Sequence, residues 1–316
     1  MMTNVAQSTL DGVLTVNKEA GWTSHDVVAK IRHVLGGAKV GHAGTLDPAA
    51  TGVLPVLIGR GTRIAEYLVE WDKEYRAVLR LGETTETQDA TGALVTRQST
   101  DHVTPAAIQE IVTRFRGSIE QVPPMYSAVK VAGVPLYKSA RAGRTIARQA
   151  RTVRIHSLDV LEIDGQNVTL RVVCSKGTYV RTLCADIGAT LEVGGHLLSL
   201  ERRRVGPLSL DQAATVDEVA ARYALGDLGE AVVSLDQALS EFQAVVVVGP
   251  AAERVRHGAP VPLRHIRDLP DCRYEVAASS RPVRIHDVEG RLLAIGKYLV
   301  RGETVLAVEK LLIEQN

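Results

Sequence analysis

Hydrophobic side chains recur along the chain with two periods, which predict strands and helices in mixed order. From residue 75 to 81 the residues at every second position are apolar, as in a strand with one buried face, and residues 52–58 form a nearly continuous apolar run typical of a buried strand. Shorter β patterns predict further strands at residues 13–16, 153–163 and 168–174. Helical spacing predicts a helix that Ser24 caps and that Gly36 and Gly37 end, and further helices near residues 64–68, 104–115 and 211–241.

The order of these elements indicates the fold class. Strands and helices mix without regular alternation, so the pattern predicts an α+β domain with a mixed or antiparallel central sheet and flanking helices. Beyond residue 242 it changes to short β runs at residues 244–248, 283–286, 292–295 and 304–308. A length of 316 residues suits two domains, which we place at residues 1–242 and at a small β domain of residues 243–316.

Charge is unevenly distributed along a chain whose net charge is only +1. No acidic residue lies between Glu120 and Asp159, whereas that window holds seven basic residues: Lys130, Lys138, Arg141, Arg144, Arg148, Arg151 and Arg154. Residues 211–241 hold seven acidic residues and one basic residue, Arg222. The near-neutral total therefore hides a candidate polyanion-binding surface within residues 121–158, for which the alternative is an ordinary solvated face.

Composition excludes several classes of protein. An apolar content of 45% with 23% charged residues excludes a mostly disordered, collagen-like or coiled-coil chain. No apolar run approaches the ~18 residues that span a bilayer, so we expect neither membrane insertion nor secretion. Cys174, Cys184 and Cys272 are odd in number and lack Cys-x-x-Cys spacing, which favours reduced cysteines and gives a zinc site no support.

The most unusual stretch is the Gly-rich segment of residues 41–52, Gly-His-Ala-Gly-Thr-Leu-Asp-Pro-Ala-Ala-Thr-Gly. Its glycines and small residues indicate a loop that approaches another group closely, but the Walker and Gly-x-Gly-x-x-Gly spacings are absent. Asp47 precedes Pro48, a pair that often begins a helix. On local grounds alone, Asp47 is a helix cap more often than a reactive group.

A second unusual stretch is Lys-Gly-Thr-Tyr-Val-Arg at residues 176–181. Gly177 permits a sharp turn from strand to helix, and Thr178 is a candidate cap for the helix. Arg181 then lies in a first turn, where a cation opposes the helix dipole. It either pairs with a carboxylate or phosphate, or turns to solvent.

Together these stretches resemble the TruB family of tRNA pseudouridine synthases. The contiguous match is Gly-His-Ala-Gly-Thr-Leu-Asp-Pro-x-Ala-Thr-Gly-Val-Leu at residues 41–54. Further matches follow the family's order at residues 17–24, 73–76, 123–130, 175–181 and 195–203, so the resemblance covers most of residues 12–207. Two departures are Glu19, where the family usually has proline, and a loose match around residues 204–208.

The resemblance implies the pseudouridine synthase fold and the conversion of uridine 55 in the tRNA T-loop to pseudouridine without a cofactor. Asp47 matches the catalytic aspartate, which either attacks C1′ or assists through a glycal intermediate. Arg181 is expected to pair with Asp47 and keep it ionised, and Tyr75 to stack on the flipped base or move a proton. Tyr179 and Leu200 match the rest of the uracil pocket, and His42 is the candidate to fill the space that the flipped base leaves.

The resemblance also implies the partners. Residues 121–158 read as an RNA-facing insertion on the T-arm, with Lys18, Lys130, Arg141, Arg144 and Arg148 as candidate RNA contacts. Residues 243–316 resemble a PUA-type RNA-binding module. We expect a cytoplasmic monomer with no metal and no protein partner. The competing hypotheses are an RNA-binding protein without catalysis and, far behind, a hydrolase that uses His42 and Asp47.

Overall fold

The computed structural model describes residues 10–127, 129–131, 133–267, 281–301 and 303–313. Its strands are β1 Gly12–Lys18, β2 Val40–His42, β3 Thr51–Ile58, β4 Lys73–Leu81, β5 Glu83–Thr85, β6 Leu94–Arg97, β7 Gly117–Gln121, β8 Lys130–Val131, β9 Val134–Pro135, β10 Arg151–Asp164, β11 Asn167–Cys174, β12 Gly195–Val205, β13 Leu208–Ser209, β14 Val232–Val233, β15 Gln243–Val247, β16 Val261–Pro262, β17 Ile266–Arg267, β18 Val283–His286, β19 Leu292–Arg301 and β20 Glu303–Leu311. Its α-helices are α1 Ser24–Val34, α2 Ala65–Val69, α3 Pro105–Arg114, α4 Leu136–Arg141, α5 Val180–Thr190, α6 Val216–Leu225, α7 Leu235–Ala238 and α8 Ala251–Arg256.

One mixed sheet of ten strands forms the centre of the described chain up to β14. Eight of its strands lie in the order β14-β1-β3-β12-β4-β11-β10-β7, with β2 added on β3 and β13 on β12. The pairing of β12 with β3 is parallel and the other pairings in this sheet are antiparallel. This sheet with its helices confirms the predicted α+β class.

Period-two patterning sets the faces of this sheet. In β4 the alternate residues from Tyr75 to Leu81 are buried, as predicted, and they contribute to a core under α5 and α3. The near-continuous apolar run of β3 is buried along seven of its eight residues, because β3 lies between β1 and β12 and is covered on both faces.

The start of α1 corrects one prediction. Thr23, not Ser24, is the N-cap, and it forms a capping box with Asp26: the Asp26 amide donates to the Thr23 hydroxyl while the Asp26 carboxylate accepts from the Thr23 amide at 2.8 Å. Ser24 is the first residue of the helix and is buried. Thr and Ser are both good N-cap residues, so residue type does not show which of the two caps the helix. Thr23 is the cap because Ser24 turns into the core.

The predicted acidic helix of residues 211–241 is only partly helical. Short 3-10 turns, α6, the strand β14 and the four-residue α7 share this segment. Gly226, in the left-handed conformation, ends α6 with its N–H bound to carbonyls of the last turn. The continuous helix was therefore a wrong prediction, and the acidic residues lie on several short elements.

A second sheet of six described strands, in the order β16-β20-β19-β18-β15-β17, follows from Gln243 onward. The predicted runs at residues 292–295 and 304–308 belong to longer strands, because β19 and β20 pair as a hairpin. This sheet packs on the first through Ile295 and Leu312, which join a core cluster with Leu57 and Leu68. Polar contacts reinforce this junction: Arg60 bonds Asp11 and the Leu312 carbonyl.

Candidate active site

The aspartate loop, residues 43–50, connects β2 to β3. Asp47 does not cap a helix: its carbonyl accepts the Ala50 amide at 3.0 Å in a tight turn, after which the chain enters β3. The helix-cap interpretation of Asp47 is therefore wrong. Leu46 and Ala50 are buried in the core cluster that also holds Tyr75, so the loop is anchored by a hydrophobic residue on either side of the turn.

Arg202 holds this loop from the sheet side. It lies on β12 with 1% of its surface exposed, and its guanidinium donates to the carbonyls of Gly44 at 2.9 Å and Val53 at 2.7 Å. Gly52 on β3 adopts a φ of +100° directly against the Arg202 backbone, where any Cβ would collide. The glycine of the motif thus permits the close approach of β3 and β12.

Lys18 holds the loop from the other side. Its side chain is buried, and its ammonium donates to the carbonyls of Glu19 at 2.9 Å, Trp22 at 2.7 Å and Pro48 at 3.2 Å. Burial lowers the pKa of Lys18 to about 8, although the nearby Asp47 opposes this. The structure gives the predicted RNA contact of Lys18 no support, because the ammonium donates to three backbone carbonyls. Glu19, the departure from the family pattern, is exposed and contributes a carbonyl that any residue would supply.

Ser24 is a third anchor of the loop. Its buried hydroxyl accepts the Leu46 amide at 3.0 Å, and it also lies 3.2 Å from the Leu46 carbonyl. The backbone just before Asp47 is thus fixed to α1. Loop, helix and sheet together set the position of the carboxylate.

Arg181 approaches Asp47 from the first turn of α5, as the sequence predicts. Its side chain is 7% exposed, and its NH2 nitrogen lies 2.7 Å from Oδ2 of Asp47, whose side chain is 43% exposed. Gly177, with a φ of +78°, makes the turn that leads into this helix. Thr178 is not the cap, because its hydroxyl binds the Ser175 carbonyl and the helix begins after Tyr179.

Asp89 is a second carboxylate on the same guanidinium. Its Oδ2 lies 3.4 Å from NH1 of Arg181, while its Oδ1 accepts from the Thr87 hydroxyl at 2.7 Å and the Thr91 amide at 3.0 Å. The loop between β5 and β6 that carries Asp89 is also joined to α5, since the Thr182 hydroxyl donates to Gln88 at 2.8 Å. Asp89 therefore fixes the orientation of Arg181 through a second nitrogen of the guanidinium.

The electrostatic balance at Asp47 differs from the prediction that Arg181 simply keeps it ionised. Desolvation by the surrounding protein raises the pKa of Asp47, and the charge of Asp89 raises it further. The Arg181 guanidinium opposes both effects without reversing them. The carboxylate is thus a stronger base than an ordinary aspartate while its geometry is fixed.

Tyr75 lies on β4 directly opposite Arg202 on β12. Two residues along each strand, Ala77 faces Leu200, so Leu200 and Tyr75 share one face of the sheet near the aspartate loop. Burial raises the pKa of the Tyr75 hydroxyl, and a hydrogen bond with Arg202 opposes this. The phenol therefore stays protonated, and its proton is harder to remove than that of an exposed tyrosine.

Tyr179 and His42 lie at the ends of two elements of the site. Tyr179 is the N-cap residue of α5, and Gln121 binds both its amide at 2.8 Å and its carbonyl at 3.1 Å. His42 ends β2, is half-buried, and packs edge to face on His25 with ring centroids 5.5 Å apart. Its Nδ1 is buried and finds no partner among the described residues.

The basic segment of residues 121–158 contains the short hairpin β8–β9 and α4. Lys138 and Arg144 are exposed. Arg148 is half-buried, because its guanidinium turns back to the Pro123 carbonyl at 3.2 Å, so it is less available to RNA than predicted. The side chains of Lys130 and Arg141 lie outside the described part of the structure, and so does Cys272.

Other chemistries receive no support from the described residues. No group of three or more His, Cys, Asp or Glu side chains in this part of the chain is placed to hold a metal ion. Burial raises the pKa of Cys174 to about 11 and that of Cys184 to about 12, so both thiols are poor nucleophiles. None of the described helices is long and apolar enough to cross a membrane.

Sequence reasoning missed several residues that build this site. Arg202 was seen only as part of a matching motif, and Asp89, Gln121 and His25 were not singled out. A charged residue inside a buried strand was the available signal for Arg202. For Asp89 and Gln121 no local signal exists, since each acts on an element distant in sequence.

Comparison with known proteins identifies the family of this chain. The family model described as "TruB family pseudouridylate synthase (N terminal domain)" matches residues 32–180, and the model described as "tRNA pseudouridylate synthase B C-terminal domain" matches residues 181–246. A tRNA pseudouridine synthase B from Geotalea uraniireducens is 47% identical over 83% of this chain and 85% of its own length. A tRNA pseudouridine synthase B from Burkholderia mallei is 42% identical over 98% of this chain and 99% of its own length.

Solved structures agree in fold. A Cbf5-Nop10-Gar1 complex contains a chain with a TM-score of 0.76 and 29% identity, matched over 96% of this chain and 86% of that one. A chain of an H/ACA RNP bound to a substrate RNA containing 2′-deoxyuridine matches with a TM-score of 0.74 and 26% identity. The match covers 97% of this chain and 86% of that one. With the motifs, the site geometry and these matches together, the chain belongs to the TruB family of pseudouridylate synthases.

Proposed function

We propose that this protein converts uridine 55 in the T-loop of tRNA to pseudouridine. The family and the names of its relatives support an isomerase that acts on tRNA, and position 55 is the finer part of the proposal. The observation that carries it is the ion pair between Asp47 and Arg181, in which a partly exposed carboxylate is held by a buried guanidinium.

The reaction breaks the N1–C1′ bond, turns the uracil and joins C5 to C1′, with no net oxidation or reduction. We assign Asp47 to the sugar, either as a nucleophile at C1′ or as a base on the route through a glycal. Its fixed backbone and raised pKa suit both roles. Arg181 orients the carboxylate and stabilises its charge, because a guanidinium holds carboxylates with a defined geometry.

We assign the binding of the base and of the RNA backbone to residues around Asp47 and Arg181. Tyr75, Tyr179 and Leu200 form the uracil pocket, in which Tyr75 stacks on the flipped base or takes part in proton transfer. His42 fills the space that the flipped nucleotide leaves, since an unstacked base costs a few kcal/mol that a replacement ring partly restores. The exposed cations of residues 121–158 contact phosphates of the T-arm.

Catalysis and RNA binding are also divided between the two predicted domains. We assign residues 1–242 to catalysis and residues 243–316 to a PUA-like module that binds RNA. With tRNA as its substrate, the enzyme works in the cytoplasm, and we propose that it acts as a monomer without a cofactor.

The test is to map pseudouridine in an unmodified tRNA transcript after incubation with the purified protein, without added metal or nucleotide. We expect one pseudouridine, at position 55, and none in a transcript that carries cytidine there. Modification at a different uridine contradicts the assignment of position 55. Binding without modification favours the non-catalytic RNA-binding hypothesis.

A further inference from the structure

The described cations that hold the aspartate loop are already engaged by the protein. The Lys18 ammonium binds three carbonyls, and the Arg202 guanidinium binds the carbonyls of the loop and of β3. Arg181 divides its guanidinium between two carboxylates. A nucleotide that enters this site also brings phosphates, and these three side chains have little capacity left to bind them.

His25 is a nearby side chain that forms no hydrogen bond or ion pair with its side chain among the described residues. It lies in the first turn of α1, is exposed, and contacts the ring of His42 at an interplanar angle of 79°. The carboxylate of the adjacent Asp26 is occupied by the amide and hydroxyl of Thr23 in the capping box. The imidazole therefore lies at the rim of the site, beside the residue that we assign to the vacated base position.

The surroundings of this pair disfavour a cationic His42. Burial lowers the pKa of His42, and the neighbouring His25 and Arg202 lower it further. Two imidazoles in contact repel each other if both are charged. Among the described residues, Asp26 on the same helix and His42 on β2 interact with His25, and Arg202 in turn acts on His42.

We propose that His25 is a positioning residue that binds a phosphate of the nucleotide entering beside Asp47, while its ring supports His42. The inference rests on the proposed function and adds to it a phosphate contact that is separate from the basic segment of residues 121–158. A neutral His42 can enter the base stack, and an exposed imidazole beside it can donate to the backbone of the same strand.

Three substitutions at this position test the proposal, with an unmodified tRNA transcript as the probe. His25→Ala is expected to weaken tRNA binding by about tenfold and to flatten the slope of log Kd against log salt by about 0.7 to 0.9, the value for one phosphate contact. The single-turnover rate at saturating enzyme should fall by a smaller factor than the affinity, because Asp47 and Arg181 are untouched and the lost ring support acts only through His42. His25→Lys should restore the slope, and His25→Phe, which keeps a ring against His42, should not.

His33→Ala is the matched control, since His33 is an exposed histidine in the last turn of the same helix, about 12 Å further along its axis. It should leave affinity and slope unchanged. The proposal is overturned if His25→Ala binds like wild type, if phenylalanine rescues where lysine does not, or if His33→Ala weakens binding equally. A wild-type protein that leaves the transcript unmodified would instead contradict the proposed function, whatever these variants show.

Discussion

Arg181 contacts Asp47 across 2.7 Å while its own side chain is 7% exposed. A second nitrogen of the same guanidinium lies 3.4 Å from Asp89, so the cation is held between two carboxylates from different loops. Asp47, the carboxylate that we propose to react, is the most exposed member of this group, and Arg181 and Asp89 are largely shielded from solvent. The arrangement leaves the Asp47 carboxylate accessible while two shielded side chains orient it, as the proposed function requires.

Asp47→Asn is expected to lower the rate of pseudouridine formation by at least about a thousandfold, because the amide has neither the charge nor the basicity of the carboxylate. Binding of tRNA and the free energy of unfolding should change little, the latter by about 1 kcal/mol or less, since the side chain is 43% exposed. Single-turnover assays and denaturant titrations measure both quantities. Normal turnover in this variant would exclude Asp47 from catalysis.

Arg181→Lys tests the geometry of the pair rather than its charge. A lysine keeps one positive charge but cannot hold Asp47 and Asp89 with two nitrogens of a planar group. We expect the rate at saturating enzyme to fall by about a hundredfold, the cost of a displacement of about 1 Å, and tRNA affinity to fall less. Near-normal turnover with weaker binding would show instead that Arg181 serves an RNA phosphate.

Asp89→Asn tests whether Asp89 acts through Arg181 and Asp47. The charge of Asp89 raises the pKa of Asp47, so its removal should lower that pKa and move the acid limb of the rate profile to lower pH. The rate on the plateau should also fall, because Arg181 loses one of its two partners. Single-turnover rates across the acid limb and the neutral plateau measure both effects. A lower plateau with an unmoved acid limb would mean that Asp89 only supports the fold of its loop.

Sequence patterns predicted the strands that build the site better than the side-chain contacts between them. The alternation in β4 and the apolar run of β3 each reflect which residues of a single strand are buried. The sequence of that strand alone is therefore enough to predict them. The pairing of Arg181 with Asp47 was predicted from the family resemblance, since a cation in a first helical turn is tolerated more readily with an anionic partner but does not require one. Local reasoning also made Asp47 a helix cap, which is wrong because the chain turns at Asp47 and enters β3 at Thr51.

The failures share one physical cause. A lysine in a strand and an arginine in a loop are ordinarily solvated, so nothing local shows that Lys18 turns inward to three carbonyls or that Arg148 turns back to Pro123. Asp89 contacts a guanidinium 92 residues away, and only the tertiary fold brings them together. Polar contacts that depend on which way the tertiary fold turns a side chain therefore marked the limit of what the sequence could predict.

The basic segment of residues 121–158 leads to a prediction about how tRNA affinity depends on salt concentration. Lys138 and Arg144 are exposed, so replacing both with alanine should weaken tRNA binding and flatten the slope of log Kd against log salt by about 0.9 for each phosphate that either side chain binds. Arg222→Ala in the acidic segment removes one exposed cation and should leave the slope unchanged. Equal slopes for wild type and the double variant would identify these cations as a solvated face.

Lys18 gives a prediction about stability and pH. Its pKa is about 8 in the folded protein against 10.5 for an ordinary lysine, so between these values the unfolded chain binds more protons. Burial of the charged form costs stability below pH 8, and this cost is relieved as pH rises toward 10.5. The unfolding free energy of wild type relative to Lys18→Met should therefore rise by up to about 1.4 kcal/mol per pH unit in this window and stay level below it.

Denaturant titrations from about pH 7 to about pH 10 measure this difference. The control is Lys30→Met on the exposed face of α1, whose difference from wild type should stay level throughout. A level difference for Lys18→Met as well would show that the ammonium is solvated and free to meet RNA, and that the aspartate loop is held without it.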